Sequence, residues 1–243
     1  MKLISCNIEG DKHFSRLFPF FQTEKPDVLA LQEVFECDLE TIKQITGLKN
    51  CVFYPQADIT KANIHLPMRG RWGVAIFAKE IIKHEAFYYF GHKNGVLNVF
   101  ENDTPNLIDR VVLAVKARVN NQDFQVATVH FTWSSDGDVI DVQKKDYLSL
   151  KSFLAKYDKL ILCGDFNTPR GGEIWADLAK TYTDNIPQEI YTTIDKNLHK
   201  SGKDIRLVID TLFTSPHYLT RNVKVVANTS DHMAVVGEIK RVS

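Results

Sequence analysis

Residues 159–167 read KLILCGDFN, an apolar run that ends in a glycine and then turns polar. A short run of branched aliphatic side chains is typical of a buried strand. Three other polar clusters lie where strand-like apolar runs stop: Ser5-Cys6-Asn7, Leu31-Gln32-Glu33-Val34 and Ser230-Asp231-His232. Because strand ends in α/β proteins converge on a common rim, we expect these clusters to form one site.

The clusters contain carboxylates, amides and an imidazole, which together can carry out metal-assisted phosphoryl chemistry. Oxygen ligands from Glu, Asp and Asn suit Mg²⁺, which keeps several waters and leaves room for a substrate phosphate. Mn²⁺ accepts the same ligands. The strand ends therefore predict a Mg²⁺ site, with Mn²⁺ as the alternative ion.

A chain of 243 residues with 44% hydrophobic residues can bury a substantial core, either as one large domain or as two small ones. No linker rich in Pro, Gly or Ser interrupts it, and the polar clusters come from both ends of the sequence. Because these clusters must converge, we expect a single catalytic domain over residues 1–243.

Thirty basic residues balance thirty acidic ones, so the chain lacks the positive excess that accompanies tight, sequence-independent binding of nucleic acid. A local patch of Lys61, Arg69 and Arg71 would still allow nucleic acid as a partner, and a solvated charged face is the other interpretation. Neutrality argues against a non-specific nuclease.

The sequence enters a strand at once, without the pattern of a secretion signal, and no apolar run approaches the roughly 18 residues that span a bilayer. Cys6, Cys37, Cys51 and Cys163 are scattered, which is typical of reduced thiols. We therefore expect a cytoplasmic protein with no membrane span and no obligate protein partner. A mature form cut from a longer precursor would give the same pattern.

Hydrophobic periodicity divides the chain into helices and strands. Apolar residues at helical spacing predict helices at 14–21, 37–45, 139–157 and 174–178. Alternating residues predict strands over much of 51–130, with a hairpin turn at Asn120-Asn121, and more strands follow in the C-terminal half. About a dozen strands in two series, each flanked by helices, predict an α/β protein with two packed sheets and helices on their outer faces.

The motifs and their order resemble the endonuclease/exonuclease/phosphatase superfamily, which includes deoxyribonuclease I and exonuclease III. The resemblance rests on Asn7, Gln32-Glu33, His130, Gly164-Asp165-Phe166-Asn167, Ile209-Asp210 and Ser230-Asp231-His232. Each motif alone is weak or moderate evidence, whereas all of them in the family's order are specific. The resemblance implies a four-layer α/β/β/α sandwich of two packed mixed sheets with outer helices, and a site where the loops of the sheets meet.

The resemblance also implies the metal ligands: Glu33 as the principal ligand, Asn7 at the metal and phosphate, and Asp231 near the metal. From spacing alone, an ion pair explains Glu33 equally well, and a turn cap explains Asn7. Glu9 matches an acid that some family members place two residues after the Asn. The other histidines, such as His13, show no pairing at metal-ligand intervals, so we expect them at the surface and expect no zinc site.

For catalysis, the resemblance implies that Asp165 orients or deprotonates the attacking water while Asn167 steadies the phosphate. On an extended backbone these two side chains share one face, although a plain turn explains the same residues. The resemblance places His232 and His130 at the phosphate, with Asp210 orienting His232. Taken alone, a histidine such as His130 at a strand end is more often structural.

Two segments differ from the family pattern or add to it. Many members carry Arg two positions before the strand Asp, but Val208 stands there in this chain and Arg206 lies two residues earlier. The segment Met68–Gly73 contains Arg71 and Trp72 before a strand. It predicts either a loop that binds phosphate and stacks on a ring or core packing of Trp72.

These observations predict a Mg²⁺-dependent phosphodiester hydrolase that acts on nucleic acid or on an adduct at a nucleic-acid end. A phosphoesterase for a small or lipid phosphoester, such as an inositol phosphate or a sphingomyelin-like lipid, is the alternative. Two other classes stay open: a non-catalytic binding module of the same fold, and a cysteine-dependent hydrolase that uses Cys163 or Cys6.

Overall fold

The structure is a computed structural model that describes residues 1–60, 67–92, 95–99 and 108–242. Lys61, one member of the predicted basic patch, lies outside the described residues. Within the described ranges, twelve strands form two six-stranded sheets, accompanied by four α-helices. None of these helices combines the length and the apolar character needed to cross a bilayer.

The strands are β1 (Lys2–Asn7), β2 (Val28–Phe35), β3 (Asn50–Ile59), β4 (Gly70–Ala78), β5 (Ile81–Phe90), β6 (Arg110–Val119), β7 (Gln122–His130), β8 (Ile161–Asp165), β9 (Thr183–Asp184), β10 (Asp210–Thr214), β11 (Tyr218–Val226) and β12 (Ala234–Arg241). The helices are α1 (Phe14–Glu24), α2 (Leu39–Thr46), α3 (Asp141–Leu154) and α4 (Glu173–Leu178). The first sheet has the order β11-β12-β1-β2-β4-β3, and the second sheet has the order β5-β6-β7-β8-β10-β9.

The first sheet is apolar on both faces because its strands alternate between two cores. Leu3 of β1 and Val28 of β2 belong to the core between the sheets. Their neighbours Ile4 and Leu29 point the other way, into the core that α1 and α2 cover. Period-two alternation of side chains thus buries both faces of the sheet.

The second sheet is covered in the same way by α3 and α4. Trp175 of α4 lies against Phe213 of β10, with their ring centroids 5.1 Å apart. The neighbouring Leu212 points the other way, toward Gly237 of the first sheet. The predicted fold class, a four-layer α/β/β/α sandwich of two packed mixed sheets with outer helices, is therefore confirmed.

Strand register places the polar strand ends side by side. Strands β1 and β2 are parallel, with Asn7 opposite Gln32, and β7 and β8 are parallel, with His130 opposite Asp165. Strand β10 is antiparallel to β8, and its first residue, Asp210, lies opposite Asp165. The carboxyl ends of both parallel pairs therefore deliver their polar side chains to one rim.

Local sequence signals also hold at several chain reversals. Asn120 and Asn121 join β6 to β7 with φ angles of 48° and 60°, which fits the type I′ turn that Asn favours. Helix α2 ends at Gly47, whose φ of 72° closes the last turn. Helix α1 runs to Glu24, beyond the predicted 14–21, before a left-handed Lys25 ends it.

Strand β2 does not end where its apolar run stops, at Leu31. The strand continues through Glu33 to Phe35. Its register with β4 shifts between Leu31 and Val34, and Glu33 has a φ of 61°. A bulge of this kind re-aims one side chain without ending the strand, and residue types alone did not reveal it.

Gly164 of β8 allows a close approach to β7. Its φ is 124°, and a Cβ atom there would collide with the carbonyl oxygen of Val129. We expect Gly164→Ala to lower the free energy of unfolding by more than about 3 kcal/mol, because a backbone clash adds to conformational strain. In the control Gly47→Ala, φ is 72° but the space is open, so only strain of about 1 kcal/mol applies. Denaturant unfolding measures both, and equal losses would contradict the close approach.

Candidate active site

One amide connects the two sheets at the site. Nδ2 of Asn7, at the end of β1, donates to Oε1 of Glu33 at 3.0 Å and to Oδ2 of Asp165 at 3.1 Å. The amide oxygen of Asn7 accepts the backbone N–H of Glu9. Two carboxylate acceptors fix the orientation of this amide. Asn7 therefore bridges the two acids through its donors, and its expected place at the metal and phosphate stays a prediction.

Glu33 reaches the site from the bulge in β2. Burial raises the pKa of Glu33 to about 7, and the negative charges of Asp231 and Glu9 add to this rise. The hydrogen bond from Asn7 and the charge of His232 only partly oppose it. Buried carboxylates that repel one another are stabilised by a cation between them.

His232 lies between two acids. Its Nδ1 is 2.9 Å from Oδ2 of Asp210, and its Nε2 is 3.8 Å from Oδ2 of Asp165. Burial alone would lower the pKa of His232, but the charges of Asp210 and Asp165 hold the pKa well above its usual value. The two acids therefore favour the protonated imidazole. Val208, which replaces the family's Arg, does not prevent the contact between Asp210 and His232.

Asp165 occupies the centre of the site. Burial raises the pKa of Asp165 to about 6, although the charge of His232 opposes the rise. Its Oδ1 accepts the backbone N–H of Asn167 at 2.8 Å, and Nδ2 of Asn167 donates to the carbonyl oxygen of Phe131. Asn167 has a φ of 48°, so of the two backbone interpretations the turn holds at this position and the extended one does not. A tight turn, rather than a strand, holds Asp165 and Asn167 together.

His130 contributes a second imidazole. Its Nε2 lies 3.7 Å from Oε1 of Glu33 and 3.7 Å from Oδ2 of Asp165. Burial lowers the pKa of His130 well below its usual value, and the positive charges of Arg110 and His232 act in the same direction. The surroundings therefore favour the neutral form of His130 and the protonated form of His232.

Arg110 is a site residue that sequence reasoning missed. It begins β6, is only 1% exposed, and lines the same cavity as the acids. Its Nη1 donates to the carbonyl oxygen of His130 at 3.2 Å. Burial lowers the pKa of Arg110, and the negative charges of nearby acids such as Asp165 oppose this shift. The available signal was the charged pair Asp109-Arg110 directly before an apolar strand.

His13 also lies at the site, against the surface position expected for it. Ligand atoms of Glu9, His13 and Asp231 all lie within 4.8 Å of one another. Nε2 of His13 is 3.1 Å from Oε2 of Glu9, which also pairs with Lys12. The four-residue interval between Glu9 and His13 was the available signal, because it brings the end of β1 back to the start of α1.

The donor set fits a hard divalent cation. Ligand atoms of Glu9 and Asp231 lie within 4.8 Å of one another, and the negative charges of both acids raise the pKa of Glu33. On the other side, Asp165 already faces the charge of His232. Carboxylate oxygens without thiolates favour Mg²⁺ or Mn²⁺. The region between Glu33 and Asp231 is therefore the part of the site that fits a metal.

The two buried cysteines are not activated nucleophiles. Burial raises the pKa of Cys163 to about 12, and burial together with the charges of Asp210 and Asp231 raises the pKa of Cys6 well above its usual value. A nucleophilic cysteine needs a thiolate near neutral pH. This finding argues against the cysteine-dependent hydrolase.

The arginines of the Met68–Gly73 segment are engaged with acids. Arg69 forms a two-pronged contact with Asp38, at 2.6 Å and 2.8 Å. Arg71 lies 3.4 Å from a carboxylate oxygen of Glu36. Trp72 is buried in a small apolar cluster, so the core-packing interpretation holds for it. The described part of the predicted basic patch is therefore largely neutralised.

Comparison with known proteins identifies the family. The sequence profile of the endonuclease/exonuclease/phosphatase family matches residues 4–232. No curated protein gives a significant match.

An endonuclease/exonuclease/phosphatase from Beutenbergia cavernae is 15% identical, with a TM-score of 0.75 over 99% of this chain and 71% of that chain. The mannosyl-6-phosphatase of Bacteroides thetaiotaomicron is 14% identical, with a TM-score of 0.70 over 99% of both chains. The catalytic domain of human Nocturnin is 16% identical, with a TM-score of 0.65 over 100% of this chain and 94% of that chain.

The chain therefore belongs to the endonuclease/exonuclease/phosphatase family. Members of this family are hydrolases that act on phosphoesters, and they generally depend on a divalent metal. The solved structures, at 14–16% identity, share the fold with this chain. They do not identify its substrate.

The Asp210 carboxylate controls the proton on His232. We expect Asp210→Asn to lower the pKa of His232, because it removes a negative charge at 2.9 Å while burial still disfavours the imidazolium. NMR of the imidazole nitrogens during a pH titration measures this pKa, with the exposed His84 of β5 as an internal reference. An unchanged titration of His232 would contradict this assignment.

Proposed function

We propose that this protein is a phosphodiester hydrolase that depends on Mg²⁺, with Mn²⁺ as the alternative ion. The observation that carries the proposal is the Asn7 amide, which donates to Glu33 of the first sheet and to Asp165 of the second sheet. A phosphate bound beside this amide has metal-type ligands on one side and a base on the other. The convergence of every predicted residue argues against a non-catalytic binding module.

Glu33 and Asp231 would hold the divalent ion, with Glu9 within reach. When bound there, such an ion would supply the positive charge that polarises a phosphate oxygen and offsets the developing negative charge. Asn7 orients the Glu33 carboxylate through its amide donor. The acids repel one another while no cation is bound. Binding of a cation would relieve that repulsion, so the repulsion itself favours metal binding.

Asp165 would act as the general base. With a pKa of about 6 it is ionised at neutral pH and still has useful affinity for a proton. Its two oxygens accept from Nδ2 of Asn7 and from the backbone N–H of Asn167, so the carboxylate is fixed before substrate arrives. A fixed base can take a proton from a water that is positioned in line with the leaving oxygen.

The two imidazoles would take different parts in phosphoryl transfer. His232, held protonated by Asp210, places a positive charge where the phosphate gains negative charge. His130 is neutral and can exchange a hydrogen bond with a phosphate or leaving oxygen. Asn167 would steady the phosphate beside them. Arg110 holds the backbone carbonyl of His130 and so fixes the position of that imidazole.

The substrate is proposed to be a compact phosphodiester or the end of a nucleic acid, including an end-adduct. The interior of a duplex would need free cationic side chains beside the site. Arg69 and Arg71 contact acids, Lys200 and Lys203 line the cavity, and the chain as a whole has thirty basic and thirty acidic residues, so it has no basic excess for a long phosphate backbone. These observations favour small or lipid-like phosphoesters and strand ends over long nucleic acid.

Glu33→Gln and Asp165→Asn each remove one carboxylate with little change in shape. We expect kcat on bis(p-nitrophenyl) phosphate with Mg²⁺ to fall at least about a hundredfold in each variant, because a metal ligand or a general base is lost. Steady-state kinetics measures the fall. Thermal unfolding of metal-free Glu33→Gln should match the wild type or occur at higher temperature, since a buried charge that faces other acids is removed.

The matched control is Glu173→Gln, which removes an exposed carboxylate of α4 that pairs with Lys144. This variant should retain wild-type kcat. A folded Glu33→Gln variant with wild-type turnover would remove Glu33 from the mechanism.

Metal removal gives a separate test. EDTA should abolish turnover, and excess Mg²⁺ should restore it. Mg²⁺ should also raise the Tm of the wild type, because an ion that binds only the folded state stabilises it by mass action. At the same Mg²⁺ concentration the shift should be smaller in Glu33→Gln. Equal shifts in both proteins would place the ion elsewhere.

A further inference from the structure

We propose that the cavity holds an aromatic or compact hydrocarbon group of the substrate beside the phosphate. This group would lie against a surface formed by Trp133, Ile194, Leu207 and Ile209, all of which line the cavity. We name these four residues the apolar wall. The inference rests on the proposed phosphodiester hydrolysis and specifies its substrate class: phosphodiesters in which one esterified alcohol carries a ring or a short hydrocarbon chain.

The cavity is larger than phosphate chemistry requires. Its volume is about 740 Å³, within the range of about 300–1,000 Å³ that is typical of sites for whole small molecules. Catalytic residues such as Asp165 and His232 line one part of it, and the apolar wall lines another. The remaining space can therefore accommodate an organic group attached to the phosphate.

Trp133 is the most exposed member of the apolar wall. Its side chain is 41% exposed, whereas its neighbours Thr132 and Ser134 are buried. It follows His130, the last residue of β7, by only three residues, so the loop that leaves β7 brings the indole close in sequence to the imidazole. An exposed indole on the wall of a cavity offers a flat apolar face to a substrate ring.

Backbone hydrogen bonds tie the apolar wall to the catalytic residues. Ile194 pairs with His232 in an isolated antiparallel β-bridge. Oγ1 of Thr193 accepts the backbone N–H groups of Ile209 and Asp210. Since His232 and Asp210 belong to the proposed catalytic group, the wall keeps a fixed position relative to the phosphate. A site fixed before binding loses little entropy when the ligand arrives.

The loop that carries Trp133 also contacts Leu207. A Cβ atom on Gly137, four residues after Trp133, would lie 3.2 Å from Cδ1 of Leu207 and 3.2 Å from Cγ of Pro169. Glycine at position 137 therefore lets the loop approach Leu207 closely. Residues from two distant parts of the chain therefore line the same cavity.

The cavity also presents positive charge, on the same segment of chain that carries Ile194 and Leu207. Lys200 and Lys203 line the cavity and are exposed, and their charge favours an anionic ligand. The wall itself contains no ionisable side chain. A second phosphate placed against it would lose water without gaining a polar partner. An uncharged ring or hydrocarbon group is therefore the occupant that the wall favours.

Binding of methyl, phenyl and 1-naphthyl phosphate tests the inference, because these compounds share one phosphate and differ in apolar area. Isothermal titration calorimetry on the full chain with Mg²⁺ measures each Kd. We expect 1-naphthyl phosphate to bind at least about thirtyfold more tightly than methyl phosphate, from apolar area covered at about 25 cal/mol per Å². Phenyl phosphate should lie between them.

Two variants show whether the preference arises at the apolar wall. Trp133→Ala should reduce the ratio of the Kd of methyl phosphate to the Kd of 1-naphthyl phosphate at least about fivefold, because ring stacking is lost. Tyr191→Ala removes a 62% exposed ring that is not among the described residues lining the cavity, and it should leave the ratio unchanged. Thermal unfolding confirms that both variants are folded.

Three results would overturn the inference. They are similar Kd values for the three phosphates, no binding at millimolar concentration, and an unchanged Kd ratio in Trp133→Ala. Hydrolysis of bis(p-nitrophenyl) phosphate is measured separately. A protein without Mg²⁺-dependent turnover but with a steep, Trp133-dependent ring preference would refute the hydrolase and retain the apolar wall. Turnover without a ring preference would refute the wall and retain the hydrolase.

Discussion

Mutual repulsion among buried carboxylates is the constraint on which the rest of the structure depends. The four acids concerned are Glu33, Asp165, Asp210 and Asp231. Each carboxylate loses hydration and meets other negative charges, so it must be held by a hydrogen bond or a nearby positive charge. His232 and the Asn7 amide provide part of that stabilisation. The acids on the Glu33 side retain an unbalanced negative charge, which is the physical basis for binding a cation there.

The sandwich must be rigid to keep these charges in place. Gln32, which directly precedes Glu33, links the two sheets across their buried interface. Its Nε2 donates to Oγ1 of Thr128 at 2.8 Å. Positive φ angles occur at Glu33 (61°), Gly164 (124°) and Asn167 (48°). Such strain persists only where surrounding packing determines the backbone. The large core between the sheets supplies that packing, so stability built there supports an unfavourable arrangement at the rim.

The layers were predictable because the alternation of side chains along a strand is a local property. Leu3 and Ile4 are neighbours that face different cores, and both are apolar, which indicates a strand buried on both faces. The polar clusters were also predictable, since strand ends converge in this fold class, whereas the resemblance to the family supplied His130 and Asp210. Individual contacts were not. Arg110 contacts a backbone carbonyl twenty positions away, and such an acceptor leaves no mark on residue types. The bulge at Glu33 and the orientation of the Asn7 amide likewise depend on tertiary contacts that no local pattern encodes.

The substrate stayed open for a related reason: the chemistry and the recognition surface depend on different atoms. The chain between β9 and β10 is attached to the catalytic residues through its backbone, since the N–H of Asp195 donates to the carbonyl oxygen of Asp231 and the carbonyl oxygen of Thr193 accepts the N–H of Met233. Side chains on this segment, such as those of Ile194 and Leu207, are free to differ without moving His232. Motifs that specify the phosphate chemistry therefore place no requirement on the surface that receives the rest of the substrate, and only the assembled cavity shows its apolar character.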